Sequence, residues 1–106
     1  MSKYTLQSIS PAEDGVHKLT AIFTNSTTGR KKSVKFGAEG YDDYTTYYAR
    51  DGRKIAGVHK ERYIDRHAKD LKTGDPTRKG YLSMYILWNK PTIAASINDY
   101  RKTFDL

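Results

Sequence analysis

The sequence has no cysteine among its 106 residues. Disulfide bonds and thiolate metal sites are therefore excluded, and the absence fits a reducing compartment. The sequence also has no apolar run near the roughly 18 residues that a membrane span needs. Residues 1–4 lead directly into an alternating segment and lack the apolar core of a signal peptide. We therefore expect a soluble intracellular protein with no membrane partner.

Acidic residues are scarce relative to basic ones. Twelve Asp and Glu stand against nineteen Lys and Arg, which gives a formal net charge of +7. Most of the excess lies between residues 30 and 69. Such a charge favours polyanions through a long-range, salt-sensitive field. The alternative explanation is that the charge serves only to keep a small domain soluble.

The N-terminal third shows alternating apolar and polar residues. This period predicts strands at about residues 4–9, 16–24 and 31–36. A turn at residues 10–15 and a hairpin loop at residues 25–29 contain the Pro, Asp and Gly typical of tight connections. Short connections join consecutive strands in antiparallel pairs, so the segment is predicted to form a three-stranded meander.

The next segment is less regular. Asp42 or Asp43 is expected to cap a short helix that runs through Tyr48, and Gly52 is expected to end it. Residues 53–57 are expected to form an exposed loop. A longer helix is predicted over residues 58–71.

The longer helix is predicted from its apolar spacing. Ile64, Ala68 and Leu71 fall at i, i+4 and i+7, which puts them on one side of a helix. We therefore expect these three residues to face the core. Lys72, Thr73 and Gly74 are expected to close the helix.

Two further helices are predicted near the C-terminus. The first begins with Asp75 as its N-cap and Pro76 at its first position. Its buried side is expected to carry Tyr81, Met84, Tyr85 and Trp88. The buried side of the last helix is expected to carry Ile93, Ile97, Tyr100 and Phe104.

These elements define an α+β fold. One domain is expected over residues 1–106, with the meander at 1–36 and the helical part at 41–106. A sheet with one apolar face must bury that face against other elements. We therefore expect three or four helices packed on one face of the three-stranded antiparallel meander.

Gly37 and Gly40 separate the last strand from the first helix. The chain must turn there within about four residues, so at least one of the two is expected to have a positive φ. An alternative use of the same segment is phosphate binding, by its exposed amides together with Lys35.

The sequence contains no convincing catalytic or metal-binding pattern. His59 and His67 lie two helical turns apart, roughly 12 Å, which is too far for both to bind one ion. Surface histidines are the simpler interpretation. Glu61 and Asp65 are more simply ion-pair partners than a catalytic carboxylate pair. We predict a protein that is not an enzyme, with no catalytic site, metal site or cofactor.

Basic and aromatic residues instead suggest a binding surface. Positive side chains recur on the third strand and along one side of the predicted helix, and tyrosines lie between them. Lysine and arginine bind phosphates, while tyrosine rings can stack on bases. The alternative for the tyrosines is burial in the core. The predicted nucleic-acid-binding residues are Lys31, Lys32, Lys35, Arg62, Arg66, Lys69, Tyr41 and Tyr44.

Three segments resemble a small uncharacterised family from large double-stranded DNA viruses of algae and amoebae. They are K-F-G-A-E-G-Y-D-D-Y-T (35–45), H-K-E-R-Y-I-D-R-H (59–67) and L-W-N-K-P-T-I-A-A-S-I-N-D-Y (87–100). The family pattern is close to F-G-A-x-G-Y-x-D-Y-T, H-K-x-x-x-R-Y-x-x-R-H and L-W-N-K-x-T-x-x-x-S-I. Here the link at 46–58 is longer, and only Trp88 remains of a tryptophan-rich stretch. The resemblance implies a viral origin, with a location in the virion or the infected-cell cytoplasm.

Two functions follow as hypotheses. The first is a non-enzymatic viral protein that binds nucleic acid through backbone phosphates with weak sequence preference, DNA more than RNA. The second is a structural or adaptor protein of the virion, whose basic face meets an acidic protein surface. Virion proteins are therefore a further class of expected partner.

Overall fold

The computed structural model describes residues 3–106. Three strands, β1 (Tyr4–Pro11), β2 (His17–Asn25) and β3 (Lys31–Ala38), form an antiparallel sheet in the order β1-β2-β3. The predicted meander is thereby confirmed, with β1 and β3 each two residues longer than expected. The first two residues of the predicted 1–36 segment lie outside the described residues.

A β-bulge in β1 explains its imperfect alternation. Leu6 pairs with Phe23 and Ile9 pairs with Ala21, and the register shifts between Leu6 and Ser8. Ile9 lies three positions after Leu6, so regular pleating would point the two side chains to opposite faces. The bulge inserts one extra residue and keeps both on the helix-covered face, where both belong to the hydrophobic core or pack against it.

The segment at residues 37–43, which contains Gly37 and Gly40, is called the glycine turn. Helix α1 (Tyr44–Asp51) begins where this turn ends. Asp43 is its N-cap and accepts a hydrogen bond from the Thr46 amide at 3.1 Å. Of the two predicted caps, Asp42 and Asp43, the structure therefore confirms Asp43. Gly52, at φ +88°, ends α1. Helix α2 (Arg53–His67) follows immediately, so the prediction of an exposed loop at residues 53–57 was wrong.

The predicted apolar side of α2 was also wrong. Ile64 and Ala68 are exposed, and Ala56 is the buried residue of α2. The half-buried side carries Tyr63 and His67 instead. Helix α2 therefore packs through an alanine and aromatic rings rather than through aliphatic side chains.

A 3-10 helix (Ala68–Thr73) extends α2 and ends at Gly74, which is left-handed at φ +66°. Asp75 was expected to cap the next helix but forms a turn, accepting hydrogen bonds from the Thr77 amide at 3.0 Å and hydroxyl at 2.7 Å. Helix α3 (Lys79–Leu82) starts after that turn and continues as a π-helical turn (Ser83–Leu87).

The last helix, α4 (Ile93–Phe104), agrees with its prediction and is capped by Thr92. Its Tyr100 is fully buried and donates a hydrogen bond to the Pro76 carbonyl. One hydrophobic cluster joins the sheet to the helices, which confirms the α+β class with helices on one sheet face. Its buried members are Leu6, Ala21, Phe23, Phe36, Leu82, Ile86, Leu87 and Tyr100.

Candidate functional site

The sheet has one face that the helices leave open, which we call the outer face. Its side chains follow from the pairing of β2 with β1 and β3, because alternate residues share a face. They are hydroxyl or lysine side chains apart from one isoleucine. The outer face comprises Thr5, Ser8, Ser10, Thr20, Ile22, Thr24, Lys31, Ser33 and Lys35.

Two of the three predicted strand lysines lie on the outer face. Lys31 and Lys35 are both exposed, opposite Thr24 and Thr20. Lys35 Nζ lies 3.7 Å from a carboxylate oxygen of Asp14. The pKa of Asp14 lies well below its usual range because the His17 amide, the His17 side chain and the Val16 amide hydrogen-bond to the carboxylate. The hydrogen bonds from His17 and Val16 therefore favour the negatively charged form of Asp14 at one end of this face.

Lys32 does not belong with the other two. It pairs with Phe23 and faces the helices. Its Nζ donates to Thr77 Oγ1 at 2.7 Å and lies 5.4 Å from the centre of the Tyr4 ring. The predicted phosphate contact by Lys32 is corrected for this reason: its ammonium group already ties β3 to the turn before α3.

A cleft of about 370 Å³ lies between the turn at residues 37–43 and α2. The sheet end, the turn, α2, and the π-helical turn with the residue after it contribute its walls. It is lined by Lys18, Gly37, Ala38, Tyr41, Asp42, Asp43, Tyr63, Arg66, His67, Ser83, Leu87 and Trp88. These residues are distant in sequence, so the fold alone brings them together.

Gly37 is required at the cleft wall for two reasons. Its φ is +76°, a backbone conformation that side-chain-bearing residues rarely adopt. A Cβ there would lie 2.7 Å from Leu87 Cδ1 and 3.3 Å from Lys18 Cβ. Gly40 also has a positive φ, at +85°, but has open space around it. The prediction of at least one positive φ is confirmed at both glycines.

A nearly buried ion pair anchors the turn beside the cleft. Lys18 Nζ lies 2.8 Å from Asp43 Oδ2, and the side chains are 19% and 8% exposed. Asp43 therefore caps α1 and also joins it to β2. Lys18 was not among the predicted site residues, because the alternation of β2 predicts only that its side chain faces away from Leu19.

Stacked rings run along one side of the cleft. Tyr63 lies between His67, at 4.2 Å, and Trp88, at 4.5 Å, measured between ring centres. Trp88 also contacts Tyr47, which stacks on His59 at 3.8 Å. Burial raises the pKa of Tyr63. The helical spacing of Trp88 had predicted a place in the core. The structure shows it half-buried in a ring stack instead.

The predicted helix residues have different surroundings. Arg66 lines the cleft together with Tyr41, so these two predicted residues do come together. Arg62 and Lys69 are exposed, one on α2 and one on its 3-10 extension. Tyr44 is only 9% exposed and Lys60 Nζ lies 4.8 Å from the centre of its ring. Tyr44 therefore has no free face for a base, and its predicted role is corrected.

His59 and His67 are structural partners of aromatic rings, and His67 Nδ1 also lies 3.0 Å from Asp70. Within residues 3–106, no three His, Asp or Glu side chains are grouped closely enough to hold a metal ion. None of the helices described is both long and apolar enough to cross a membrane.

A model of a family of unknown function, DUF5754, matches residues 7–47. The matched segment covers most of the meander, the glycine turn and the start of α1. It includes Lys18, Gly37 and Tyr41 of the cleft but not Arg66 or Trp88. Neither a curated protein nor a solved structure gives a significant match. The resemblance to viral sequences stays a prediction.

Proposed function

We propose that the protein binds duplex DNA through the outer face of its sheet, with Lys31 and Lys35 on phosphates. The observation that carries this proposal is the composition of that face. Its paired positions hold hydroxyl and lysine side chains, with Ile22 as the exception, and the carboxylate at its end, Asp14, is bound by His17 at 2.7 Å and lies 3.7 Å from Lys35 Nζ. Lysines supply charge for phosphates, and hydroxyl groups donate to phosphate oxygens.

The dimensions of the face support a duplex. Neighbouring strands lie about 4.8 Å apart, so three strands span roughly 10 Å between the outer strand axes. The B-DNA major groove is about 12 Å wide and admits a two-stranded β-ribbon, and some DNA-binding proteins place strands of a sheet in it. Because Lys31 and Lys35 lie on the edge strand β3, we expect them to meet the phosphates that border the groove.

The same geometry favours DNA over RNA and predicts weak sequence preference. The major groove of A-form RNA is deep and narrow, and side chains cannot read it. Serine and threonine hydroxyls both donate and accept, so they do not by themselves distinguish one base pair from another. We therefore propose a non-enzymatic, DNA-associated protein of the virion or the infected cell, consistent with the viral resemblance.

The decisive experiment reverses the charge of the outer face. Lys31→Glu with Lys35→Glu should strongly weaken binding to a mixed-sequence DNA duplex in a fluorescence anisotropy titration. Lys79→Glu with Lys102→Glu is the matched control, because both lysines are exposed on helices and the net charge changes equally. Equal losses in both variants, or tighter binding to duplex RNA than to DNA, would refute the proposal.

A second candidate function is docking of an acidic protein partner, as expected of a virion adaptor. Helix α2 favours it, because Ile55 and Val58 are exposed one turn apart near Arg62. Apolar anchors beside an arginine are common in protein interfaces. Protein docking becomes the favoured function if Lys31→Glu with Lys35→Glu leaves DNA binding unchanged.

A further inference from the structure

The cleft has the size of a site for one small group. Pockets that bind small ligands usually have about 300–1,000 Å³, and this one has about 370 Å³. A single nucleotide or a group of similar size is therefore the largest ligand that it suits.

The cleft offers aromatic surface for a planar ligand. Tyr63 and Trp88 line it as a stacked pair whose planes differ by 7°, and His67 covers the other face of Tyr63, so this pair forms an apolar wall. Tyr41, from the turn, is 74% exposed, and within residues 3–106 its ring has no aromatic partner. An exposed tyrosine ring in a cleft is a surface on which a nucleobase can stack.

The cleft also has a cation without a carboxylate partner. Asp43 is paired with Lys18, and Asp42 is paired with Arg50 at 3.0 Å. Among the residues described, Arg66 has no carboxylate within ion-pair distance. Its guanidinium group is therefore available to an anion, and guanidinium groups bind phosphate through two parallel hydrogen bonds.

The π-helical turn (Ser83–Leu87) forms another wall of the cleft, and its backbone conformation is unusual. Ser83 and Leu87 line the cleft and are the first and last residues of the π-helical turn. Single π-helical turns within helices are rare and are frequent at functional sites. This observation is independent of the charges and rings, and it points to the same cleft.

We propose that this cleft binds a single unpaired nucleotide, with the base stacked on Tyr41 beside the Tyr63–Trp88 pair and the phosphate on Arg66. The nucleotide is either free or an unpaired residue of a bound DNA strand. In the second case the inference rests on the proposed function, whereas a free nucleotide binds without it.

Trp88 provides the measurement, because it is the single tryptophan of the chain and lines the cleft. The full-length protein is titrated with deoxynucleoside monophosphates and with the matching nucleosides. We expect a saturable change of tryptophan emission, with monophosphates binding more tightly than nucleosides. Tyr41→Ala should weaken both ligands by at least about fivefold, since stacking on an aromatic side chain contributes that much per base.

Arg66→Gln should remove the preference for monophosphates and leave nucleoside binding unchanged. Arg53→Gln is the matched control, because Arg53 is exposed at the start of the same helix and does not line the cleft. Equal behaviour of the two arginine variants would overturn the phosphate contact and with it the proposal.

A titration with DNA distinguishes a free nucleotide from an unpaired residue of a DNA strand as the ligand. If free nucleotides give no response, a duplex with one unpaired base should change Trp88 emission in a Tyr41-dependent way, and a fully paired duplex should not. No saturable change with any of these ligands overturns the proposal. Lys31→Glu with Lys35→Glu should leave the mononucleotide titration intact, so failure of the proposed function appears only in duplex binding.

Discussion

The ring of Tyr63 lies parallel to the ring of Trp88, with centres 4.5 Å apart. This stack joins α2 to the end of the π-helical turn, and a hydrogen bond of 2.7 Å from Lys60 Nζ to the Asn89 carbonyl reinforces it. Because Ala56 is the buried residue of α2, aromatic contacts must carry much of the attachment of this helix.

Tyr63→Ala should therefore lower the free energy of unfolding by about 2 kcal/mol, less than the 3–5 kcal/mol typical of a fully buried aromatic residue. A double-mutant cycle with Trp88→Leu should give a coupling energy of about 1 kcal/mol, as expected for a stacked pair. Urea denaturation measures both. Tyr41→Ala, at an exposed ring, should change stability by less than about 0.5 kcal/mol; a similar loss there would contradict the assignment.

The same stack explains why α2 was predicted in the wrong place. The aliphatic residues at helical spacing are Ile64, Ala68 and Leu71, whereas the packed side uses Ala56 and Tyr63. Tyrosine can be buried or exposed with little change in the pattern, so its spacing carries a weak signal. The meander was easier to predict because alternation and short turns are local properties of the chain.

Gly37→Ala should destabilise the protein more than Gly40→Ala does. Both have positive φ, so an alanine at either position costs about 1–2 kcal/mol in backbone strain. At Gly37 the new methyl group would also lie 2.7 Å from Leu87 Cδ1, whereas Gly40 has no atom within 4 Å. Thermal or urea melts of the two variants give the comparison. Equal losses of stability in the two variants would mean that the Leu87 side chain moves away from the new methyl group at little cost.

Asp43 is expected to contribute through two separable interactions. Asp43→Ala removes both the cap of α1 and the partner of Lys18, and should cost about 2–4 kcal/mol. Asp43→Asn keeps an oxygen for the Thr46 amide but loses the charge, so its cost should be clearly smaller. The helix content and the urea midpoint of the two variants are compared. A loss in Asp43→Asn as large as in Asp43→Ala would show that the cap contributes little.

Tyr100 should make the protein sensitive to alkaline pH. Burial, the largest cause, raises the pKa of this phenol far above its usual value of about 10. Between the unfolded and the folded pKa the folded state keeps a proton that the unfolded state has lost. The contribution of Tyr100 is therefore fully present below about pH 10 and falls by about 1.4 kcal/mol per pH unit above it.

The measurement is a set of urea melts at about pH 8 and about pH 11. Tyr100→Phe should be less stable at the lower pH by about 1 kcal/mol, because it loses the hydrogen bond to Pro76. It should lose less stability than the wild type between the two pH values. Part of the pH dependence should remain in Tyr100→Phe, because burial also raises the pKa of Tyr63. An unchanged pH dependence in Tyr100→Phe would contradict this account.

The cleft could not be read from the sequence because its walls come from four separate segments. Arg66 and Tyr41 were singled out independently, but nothing in their spacing indicated that they share a cleft with Lys18. Asp75 shows the opposite difficulty. Its Asp-Pro pair is a typical helix start, yet the Thr77 hydroxyl competes for the carboxylate and holds a turn instead. Side-chain hydrogen bonds of this kind override local propensity.

The salt dependence of DNA binding decides which surface meets the phosphates. If Lys31, Lys35 and the neighbouring Arg30 each contact one phosphate, log K should fall with log salt at a slope of about −2 to −3, measured between about 50 and 200 mM. Lys31→Ala with Lys35→Ala should flatten the slope by about two units. Arg62→Ala with Arg66→Ala removes equal charge from exposed positions on α2 and should leave the slope for a fully paired duplex unchanged. If the α2 variant flattens the slope and the strand variant does not, DNA lies along the helix, and the outer face of the sheet has another purpose.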